Sequence, residues 1–511
     1  MCGIPSLTTA AAPSRVTHGA THEQLASSSN GAPIVTDQRP VTSATVSGSA
    51  ASHAADSADP RHVSASFGGM VSRGMAYGVR RWVGTGGATW KHGHTQIATL
   101  GTGRPASRFQ VRSSCAKRPV TRSHTVSIER ASMKITKVET VRNRDPIPLP
   151  EPWLPAWSAP GGTPATSFGF SFHRVYTDEG IVGLGPNTGA SADMLLGIDP
   201  FTVGEFWYRH MSGGRPGRSG RRAAGLEIAL WDIVGKAAQT PIAKLLGSRR
   251  DRIPVYAATS RLLETAAHIE QAKEVAGLGF KAVKLRLHRA NPWDDVRVVE
   301  AVREAVGDDL LLMVDANQNN TSPGYEFWSH QTAMRIAREL DALRVYFLEE
   351  PLPREDIRGL AEIAEAIDTF VAGGEHSSTA YDFREHLAQG AYDVVQPDVT
   401  LMGNMGIIGL RKVADMADAS RRLIIPHVTG GGTFPFYLAA TLHAMATVDN
   451  CPMVEYPYDP PVLTPETLQV PVAVPLCTDD DGCVAVPDGP GLGLELDEEL
   501  MASGVVIETV E

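Results

Sequence analysis

The segment VYFLEEP at residues 345–351 combines the pattern of a buried strand with two adjacent carboxylates. Four apolar residues run directly into Glu349 and Glu350, and a proline then ends the stretch. A strand that is apolar on both faces is typical of a parallel sheet covered by helices. Because successive side chains of a strand point to opposite faces, we expect only one of the two glutamates to face a shared site. Alternation alone does not decide which one.

Similar short apolar runs recur along the chain and alternate with helical patterns. Their starts are 22 to 35 residues apart, and they read IPVYAATS (253–260), KAVKLRL (281–287), LLLMVDAN (310–317), VYFLEEP (345–351), VAGGEH (371–376), DVVQPD (393–398), LIIPHV (423–428) and PMVEYP (452–457). Eight such units predict an α/β fold, a (β/α)8-type barrel whose last turn is incomplete or irregular.

Ionisable residues fall at the ends of six of these predicted strands: Asp315, Glu349, Glu375, Asp398, His427 and Glu455. The carboxyl ends of all barrel strands open on one face, where barrel enzymes build their active sites. A single strand-end carboxylate more often caps the next helix or contacts water. Six of them at equivalent places in a repeat are not explained by capping, so we expect them to converge on one site.

Three carboxylates within a few ångströms repel one another strongly in a partly dry site, and a hard divalent cation removes that cost. Asp315, Glu349 and Glu375 therefore predict a metal site. An all-oxygen ligand set favours Mg²⁺, with Mn²⁺ as the alternative. The five cysteines form no CxxC pair and no Cys/His metal spacing, which favours a reducing compartment and gives no signal for zinc.

These motifs together resemble the enolase superfamily, mandelate racemase subgroup. The resemblance runs from Met133 to about Leu500, and it rests on AAGLEIALWDIVGKAAQTPIAKLLG (223–247), MVDANQ, FLEEP, GGEH, VVQPDVTLMGNMG and IIPHVTGGG in that order. It implies a modified barrel with an α+β capping domain. It also implies that Glu349 is the metal ligand of the glutamate pair and that Glu350 is structural and lies outside the barrel axis.

The resemblance further implies a reaction that removes the proton on the α-carbon of a carboxylate substrate. Mg²⁺ would stabilise the charge of the resulting enolate. His427 would be the general base, since imidazole titrates near neutral pH, and Asp398 would hold its other ring nitrogen. A protonated Glu455 would donate a hydrogen bond to the substrate carboxylate, and Asn317 would contact the substrate.

The second barrel strand departs from the pattern of many family members, which carry Lys-x-Lys with the second lysine as a base. Here it reads Lys284-Leu285-Arg286, and arginine stays protonated. A single base, His427, favours dehydration of a sugar acid (aldonate or aldarate) to a 2-keto-3-deoxy acid. A racemase, epimerase or cycloisomerase that uses Lys284 as a second base is the alternative. A non-catalytic barrel relative is the alternative of another class.

Several side chains near the predicted site carry weaker assignments. Lys284 is either catalytic or an ion-pairing residue of the barrel core. Arg286, His288 and His376 are predicted to bind substrate, Arg286 through a substrate oxygen. The sugar acid itself cannot be named, because the groups that bind its hydroxyls would lie on capping loops.

The chain divides into four predicted parts. Residues 1–132 form a low-complexity extension without helical or strand period, predicted to be disordered; it is either upstream sequence or a transit peptide. Residues 133–252 form the capping domain, 253–459 the barrel, and 460–511 a tail that returns to the capping domain. The proline-rich loop at 144–166, with its two tryptophans, is expected to close over the substrate.

Composition limits the partners. The 511 residues are 42% hydrophobic and carry a net charge of −10, and no run of 18 apolar residues predicts a membrane span. No basic patch interleaved with aromatic residues predicts nucleic-acid binding. We expect a small-molecule carboxylate substrate, a homo-oligomer, and a cytoplasmic location, with organellar targeting by the extension as the alternative.

Overall fold

The computed structural model describes residues 132–159, 161–212, 222–319 and 326–511. The predicted disorder of the extension at 1–132 lies outside these residues, apart from position 132. No helix in the described ranges has the length and apolar character needed to cross a membrane.

The elements follow one another along the chain in three groups. The first comprises β1 (Ile135–Arg142), β2 (Ile147–Trp153), β3 (Ala165–Phe168), β4 (Ser171–Thr177), β5 (Val182–Pro186), α1 (Val203–His210), α2 (Ala224–Ala237) and α3 (Ile242–Leu245). The second comprises β6 (Arg252–Ala258), α4 (Thr265–Gly277), β7 (Ala282–Arg286), α5 (Pro292–Val306), β8 (Leu311–Asp315), α6 (His330–Ala342), β9 (Phe347–Glu349), α7 (Ile357–Ala366), β10 (Phe370–Gly373), α8 (Phe383–Gln389), β11 (Val394–Val395), α9 (Gly406–Ala419), β12 (Leu423–Ile424), α10 (Phe434–Met445) and β13 (Val454–Pro457). The third comprises α11 (Pro465–Leu468), β14 (Cys483–Ala485), α12 (Glu498–Ser503) and β15 (Val505–Val510).

Strands β6 to β13 form a curled parallel sheet in the order β12-β11-β10-β9-β8-β7-β6-β13. Two backbone hydrogen bonds connect the chain segments that contain the end strands β12 and β13: the Ile424 amide donates to the Asn450 carbonyl (3.0 Å), and the Glu455 amide donates to the Pro426 carbonyl (3.3 Å). Seven helices, α4 to α10, connect the eight strands in the described part of the chain, and the first helix after β13 is the short α11 of four residues. The predicted barrel with an irregular last unit is thereby confirmed.

Local signals in the sequence fix where the connecting helices begin and end. Helix α5 is an example: the Asn291 side chain accepts a hydrogen bond from the Trp293 amide, and Pro292 occupies the first turn. The helix ends at Gly307, whose φ of 67° suits glycine. Its buried face packs against the outside of the barrel sheet.

Alternation along the barrel strands decides which side chains face the interior. The Tyr256 and Phe347 rings meet across the interior, with centroids 6.0 Å apart, although their strands β6 and β9 are not neighbours. The same buried cluster takes Met313 from β8. Asp315 lies two residues after Met313, and Glu349 two residues after Phe347, so both carboxylates continue the inward face at the open end of the barrel.

A second, antiparallel sheet lies before the barrel in the chain and has the order β15-β1-β4-β5. Strand β15 comes from the end of the chain and pairs with β1, and helix α2 packs on β5. Strands β2 and β3 pair separately as a hairpin, so the predicted loop at 144–166 is partly strand. The segment between these strands is held to the barrel, because the Ala156 amide donates to the Ser260 carbonyl (2.7 Å) and the Trp153 indole to the Ser260 hydroxyl (2.8 Å).

Candidate metal and proton-transfer site

Three carboxylates converge where β8, β9 and β10 end. Asp315 and Glu349 are the last residues of β8 and β9 and lie opposite each other in the parallel register. Glu375 follows β10 by two residues. Each offers an oxygen within 4.8 Å of the oxygens of the other two, and all three residues are buried. The structure thus brings together the three residues that the sequence predicts as metal ligands.

Two buried cations contact two of these three carboxylates and Glu455. The Lys284 ammonium is 2.7 Å from Glu349 and 3.1 Å from Glu455, and it is fully buried. The Arg286 guanidinium forms an ion pair with Asp315 and donates from Nε to the Thr259 carbonyl (2.8 Å). Burial lowers the pKa of Lys284, but the carboxylates outweigh burial, so the pKa is raised and the lysine stays charged.

The cluster of Asp315, Glu349 and Glu375 fits a divalent cation. Burial raises the pKa of Asp315 and of Glu349 above the usual range, and for Glu349 the nearby Asp315 charge raises it further. Keeping both carboxylates ionised without a cation therefore costs free energy. The Glu349 Oε1 atom is buried and has no hydrogen-bond partner. Buried carboxylate oxygens of this kind are ordinarily paired or coordinated, and an all-oxygen set suits Mg²⁺.

Glu350 lies closer to the site than the sequence predicts. Strand β9 ends at Glu349, and Glu350 has a φ of 46°, so strand alternation no longer governs its side chain. It lines the same cavity as Glu375, and together with His376 these residues form a second cluster whose ligand atoms lie within 4.8 Å of one another. Burial, then the Glu375 charge, raises the pKa of Glu350 to about 8. The prediction that Glu350 lies outside the barrel axis is therefore wrong.

An imidazole–carboxylate pair faces the metal-ligand group. The His427 Nδ1 atom is 2.7 Å from Asp398 Oδ2, and its Nε2 atom is 3.4 Å from Glu375. Asp398 is held in place by the Thr400 and Leu401 amides, both at 2.6 Å, and by the Thr429 hydroxyl at 2.8 Å. These hydrogen bonds fix the carboxylate, which in turn fixes the ring and leaves Nε2 directed at the carboxylate group.

The surroundings of His427 favour its protonated form in the absence of a cation. Burial lowers its pKa, but the charges of Glu375, Glu455 and Asp398 outweigh burial and raise the pKa to about 10. A cation bound to Glu375 would neutralise part of this field and bring the pKa towards neutrality. The ring would then be a base at neutral pH.

Glu455 differs from its predicted state. Glu455 is the second residue of β13, and its Oε2 atom is 4.0 Å from His427 Nε2. Burial raises its pKa, but Lys284, His427 and Arg286 outweigh burial and lower it. A lowered pKa keeps the Glu455 carboxylate ionised at neutral pH. The prediction that Glu455 is protonated and donates a hydrogen bond is therefore not supported by these charges.

A cavity of 760 Å³ opens above these groups. Arg286, Asn317, His376, His427 and Glu455 line it, as the sequence predicts for site residues. Five predicted site residues are not among its lining: Asp315, Glu349, Asp398, Lys284 and His288. The Lys284 ammonium contacts Glu349 (2.7 Å), and the His288 Nδ1 atom contacts the Ala156 carbonyl (2.8 Å). The hairpin covers His288, so its prediction as a substrate-binding residue is not supported by its position.

Other lining residues come from loops that the sequence pattern does not assign. Gln318, Arg354 and Glu355 follow β8 and β9, and Phe168 comes from the hairpin. The proline-rich composition of 144–166 marks the hairpin loop, whose Trp153 and Trp157 line the cavity. No motif marks Arg354 or Glu355, since their position depends on how the loop after β9 folds.

Comparison with known families now places the chain. Residues 163–247 match the model described as mandelate racemase / muconate lactonizing enzyme, N-terminal domain, and residues 267–500 match the model described as enolase C-terminal domain-like. The chain belongs to the mandelate racemase/muconate lactonizing enzyme family. The resemblance predicted from the strand-end motifs is thereby confirmed.

Members of this family with different named reactions are similar to the chain. A 3,6-anhydro-alpha-L-galactonate cycloisomerase of Streptomyces coelicolor is 33% identical over 64% of this chain and 88% of its own length. An L-talarate/galactarate dehydratase of Salmonella typhimurium is 33% identical over 65% of this chain and 77% of its own length. A racemase from Streptomyces coelicolor, solved with bound magnesium, superposes with a TM-score of 0.60 at 30% identity, covering 73% of this chain and all of the racemase.

Proposed function

We propose that this protein is a Mg²⁺-dependent dehydratase of a sugar acid, an aldonate or aldarate, that forms a 2-keto-3-deoxy acid. The observation that carries the proposal is the position of one histidine, His427, whose Nε2 atom faces the carboxylate group while Asp398 holds Nδ1. The dehydratase among the relatives supports the reaction class.

Asp315, Glu349 and Glu375 would hold the ion, and Mn²⁺ fits the same oxygen ligands. Bound Mg²⁺ would supply a Lewis acid that stabilises negative charge on the substrate carboxylate. The racemase relative was solved with bound magnesium, which supports Mg²⁺ as the ion. Lys284 would hold Glu349 in place, and Arg286 would hold Asp315.

His427 would take the α-proton of the substrate at Nε2, and the electrons of the broken C–H bond would move towards the carboxylate. Asp398 would stabilise the imidazolium through Nδ1. The protonated ring would then give its proton to the departing β-hydroxyl group, so that the carbon–oxygen bond breaks and water leaves. The resulting enol becomes the 2-keto acid.

A second base is not favoured by the position of Lys284. The ammonium is fully buried, bonded to Glu349, and absent from the lining of the cavity among the described residues. Racemisation and epimerisation need a base on each face of the α-carbon. With Lys284 in this position, the second base is missing. This supports elimination from one face.

A cycloisomerase is the second candidate, because one relative carries that name at 33% identity. The same single base serves either reaction, and the leaving group differs: hydroxide in one case, an oxygen of the substrate ring in the other. The two outcomes differ in mass, since dehydration removes one water and isomerisation removes nothing.

The experiment is a screen of aldonic and aldaric acids with the purified protein and Mg²⁺, followed by detection of 2-keto acids and mass spectrometry of the products. We expect a product lighter than its substrate by one water. A product of unchanged mass would favour the cycloisomerase, and inversion at the α-carbon without elimination would favour a racemase or epimerase.

We also propose the domain division at 133–252, 253–459 and 460–511, and a homo-oligomeric state. The pairing of β15 with β1 supports a tail that returns to the capping domain, although β14 in the same tail pairs with β6 of the barrel. Expression of 133–511 tests whether this part folds, and sedimentation measures its assembly.

A further inference from the structure

The carboxylate that orients the proposed base depends on the loop that follows it. Residues 398–405 lead from Asp398 to helix α9, and we name them the Asp398 loop. The amides of Thr400 and Leu401 each donate to Asp398 at 2.6 Å, and Leu401 and Met402 line the cavity. A shift of this loop would therefore move Asp398, and with it the ring of His427.

Helix α2, which packs on β5 of the antiparallel sheet, contacts this loop where the helix begins. The Ala224 amide donates to the Gly403 carbonyl (2.8 Å), and the Arg222 amide donates to the Asn404 side chain (3.1 Å). The exposed Arg222 guanidinium also donates to the Leu401 carbonyl (3.3 Å). The start of α2 thus holds the loop at three consecutive positions near its end.

Glu227, in the first turn of α2, holds the place where the loop becomes a helix. Its two carboxylate oxygens accept from the amides of Ile407 (3.0 Å) and Ile408 (3.1 Å), in the first turn of α9. The Trp231 indole donates a third hydrogen bond at 3.0 Å. Gly406 has a φ of 64°, and a Cβ at this position would lie 2.6 Å from the carboxylate. The side chain of one helix therefore caps the other at close range.

The burial of Glu227 shows that this contact is costly. The residue is fully buried, and burial raises its pKa to about 7, although the Ile407 and Ile408 amides act in the opposite direction. In the described ranges no basic side chain forms an ion pair with it. The amides at the start of α9 are the groups that favour its negative charge. An apolar side chain would avoid this cost, so what the carboxylate adds is a fixed position for the start of α9.

We propose that Glu227 is a positioning residue for proton transfer by the Asp398–His427 pair. Its carboxylate fixes the first turn of α9, and this turn fixes the end of the Asp398 loop, whose amides hold Asp398. Glu227 is not among the residues that line the cavity, so it acts through Asp398 and not on the substrate. The inference rests on the proposed function, since it takes Asp398 and His427 as the proton-transfer pair.

Asp232 provides a matched control on the same helix. It is as deeply buried as Glu227, and its carboxylate also accepts three hydrogen bonds, from the amides of Leu184 (2.7 Å) and Leu492 (2.8 Å) and from the Lys236 ammonium (2.7 Å). None of these donors lies in the Asp398 loop or lines the cavity. Asp232→Asn therefore removes a buried charge from α2 and leaves the contacts of the loop in place.

The first measurement needs no substrate. Glutamine at position 227 can accept from one of the two amides only, because its NH₂ group is a donor. Hydrogen exchange of the full chain, followed by mass spectrometry, should therefore be faster in peptides covering 399–408 in Glu227→Gln. In Asp232→Asn the faster peptides should be those that cover 184 and 492, with 399–408 unchanged.

The second measurement is kcat with Mg²⁺ and a reactive sugar acid. Glu227→Gln should lower kcat by roughly tenfold, since a small displacement of a catalytic group costs up to about a hundredfold. Asp232→Asn should lower Tm as Glu227→Gln does and keep kcat within about twofold of the wild type. Because Glu227 acts through Asp398, the double variant Glu227→Gln/Asp398→Asn should have a kcat within about threefold of Asp398→Asn alone.

Three results would overturn the inference: unchanged exchange of 399–408 in Glu227→Gln, an equal loss of kcat in Asp232→Asn, or effects of Glu227→Gln and Asp398→Asn that multiply. If Glu227→Gln does not fold, Arg222→Ala replaces it, because it removes an exposed contact of the same loop. It should speed exchange of 399–408 and lower kcat without adding to Asp398→Asn, and failure of either would overturn the inference. If the wild type dehydrates no acid, the proposed function fails, and the exchange measurement still shows whether Glu227 holds the loop.

Discussion

Replacing Glu349 by glutamine should strongly weaken Mg²⁺ binding, whereas the same change at Glu350 should not. The two residues are adjacent, both are buried, and each belongs to a different cluster that could hold an ion. Glutamine keeps the size of the side chain and removes its negative charge. The pair of variants therefore asks which cluster binds the ion, with each variant serving as the control of the other.

The magnitude follows from the surroundings of each carboxylate. Glu349 offers a buried oxygen without a hydrogen-bond partner, and its loss would leave Lys284 facing a neutral amide. Residues that only support a metal ligand change affinity by roughly 10- to 100-fold. Loss of the ligand itself should thus weaken Mg²⁺ binding by about 100-fold or more, which is about 2.8 kcal/mol.

Glu350 should behave differently, because burial raises its pKa to about 8. At pH 7 it is then largely protonated, and glutamine replaces a neutral acid that accepts a hydrogen bond from Asn319 at 3.1 Å. The change in Mg²⁺ affinity should be less than about threefold, within the spread of substitutions that keep charge and shape.

Isothermal titration calorimetry of the metal-free protein with Mg²⁺ measures both variants, and circular dichroism checks that each one is folded. A larger loss of affinity in Glu350→Gln than in Glu349→Gln would refute the reasoning. It would place the ion at Glu350, Glu375 and His376 instead.

Three further changes test other parts of the account. Arg286→Lys should lower the free energy of unfolding by about 1–3 kcal/mol, since lysine cannot donate to both Asp315 and the Thr259 carbonyl; chemical denaturation measures this, and an unchanged midpoint would contradict it. Asp398→Asn should lower kcat by roughly a hundredfold or more with little change in KM, because His427 loses the charge that orients it. Steady-state kinetics measures this, and an unchanged kcat would show that the Asp398–His427 pair is not used. His443 is buried with a pKa lowered to about 4, and its Nδ1 atom accepts from the Ala243 amide, so its contribution to stability is complete above about pH 6.5 and is lost as the pH falls from 6.5 to 4, on the order of 3 kcal/mol. His443→Gln should flatten the pH dependence of unfolding in this window, and an identical slope in both proteins would argue against this histidine.

The barrel could be predicted from the sequence because the regular spacing of its apolar runs corresponds to the repeat of strand and helix in the fold. Buried parallel strands read as apolar runs at regular spacing, and their carboxyl ends meet on one face. Asp315, Glu375 and one glutamate of the 349–350 pair could be placed together on this ground, since each is the last residue of its strand or follows the strand by at most two positions. The choice of Glu349 over Glu350 came from the family resemblance. The strand ends also placed Asp398 and His427 on this face, and the family resemblance assigned them as a pair.

Alternation failed where the strand itself stopped. Glu350 sits one residue past β9 in a left-handed conformation, and its side chain lines the cavity that strand geometry would have kept it from. His288 failed for a related reason: it lies two residues past β7, and the hairpin covers it. No period in the sequence reports how a distant hairpin docks on a strand end.

The charge state of Glu455 also lay beyond the sequence. The strand-end position was predictable, but its ionisation depends on three cations brought from other strands, Lys284, Arg286 and His427. Their mutual distances are set by the closed barrel and not by spacing along the chain. The same holds for Arg354 and Glu355, whose ion pair depends on how the loop after β9 folds.

His427 is proposed as the single base of the reaction, and solvent deuterium exchange distinguishes one base from two. Wild-type protein and His427→Asn would be incubated with Mg²⁺ in deuterated buffer with reactive sugar acids and their α-epimers, and deuterium at the α-carbon would be followed by NMR. We expect exchange of one epimer by the wild type and none by the variant, while calorimetry shows that the variant still binds Mg²⁺. Exchange of either epimer by His427→Asn at a rate near that of the wild type would contradict it, because a second base would then be present.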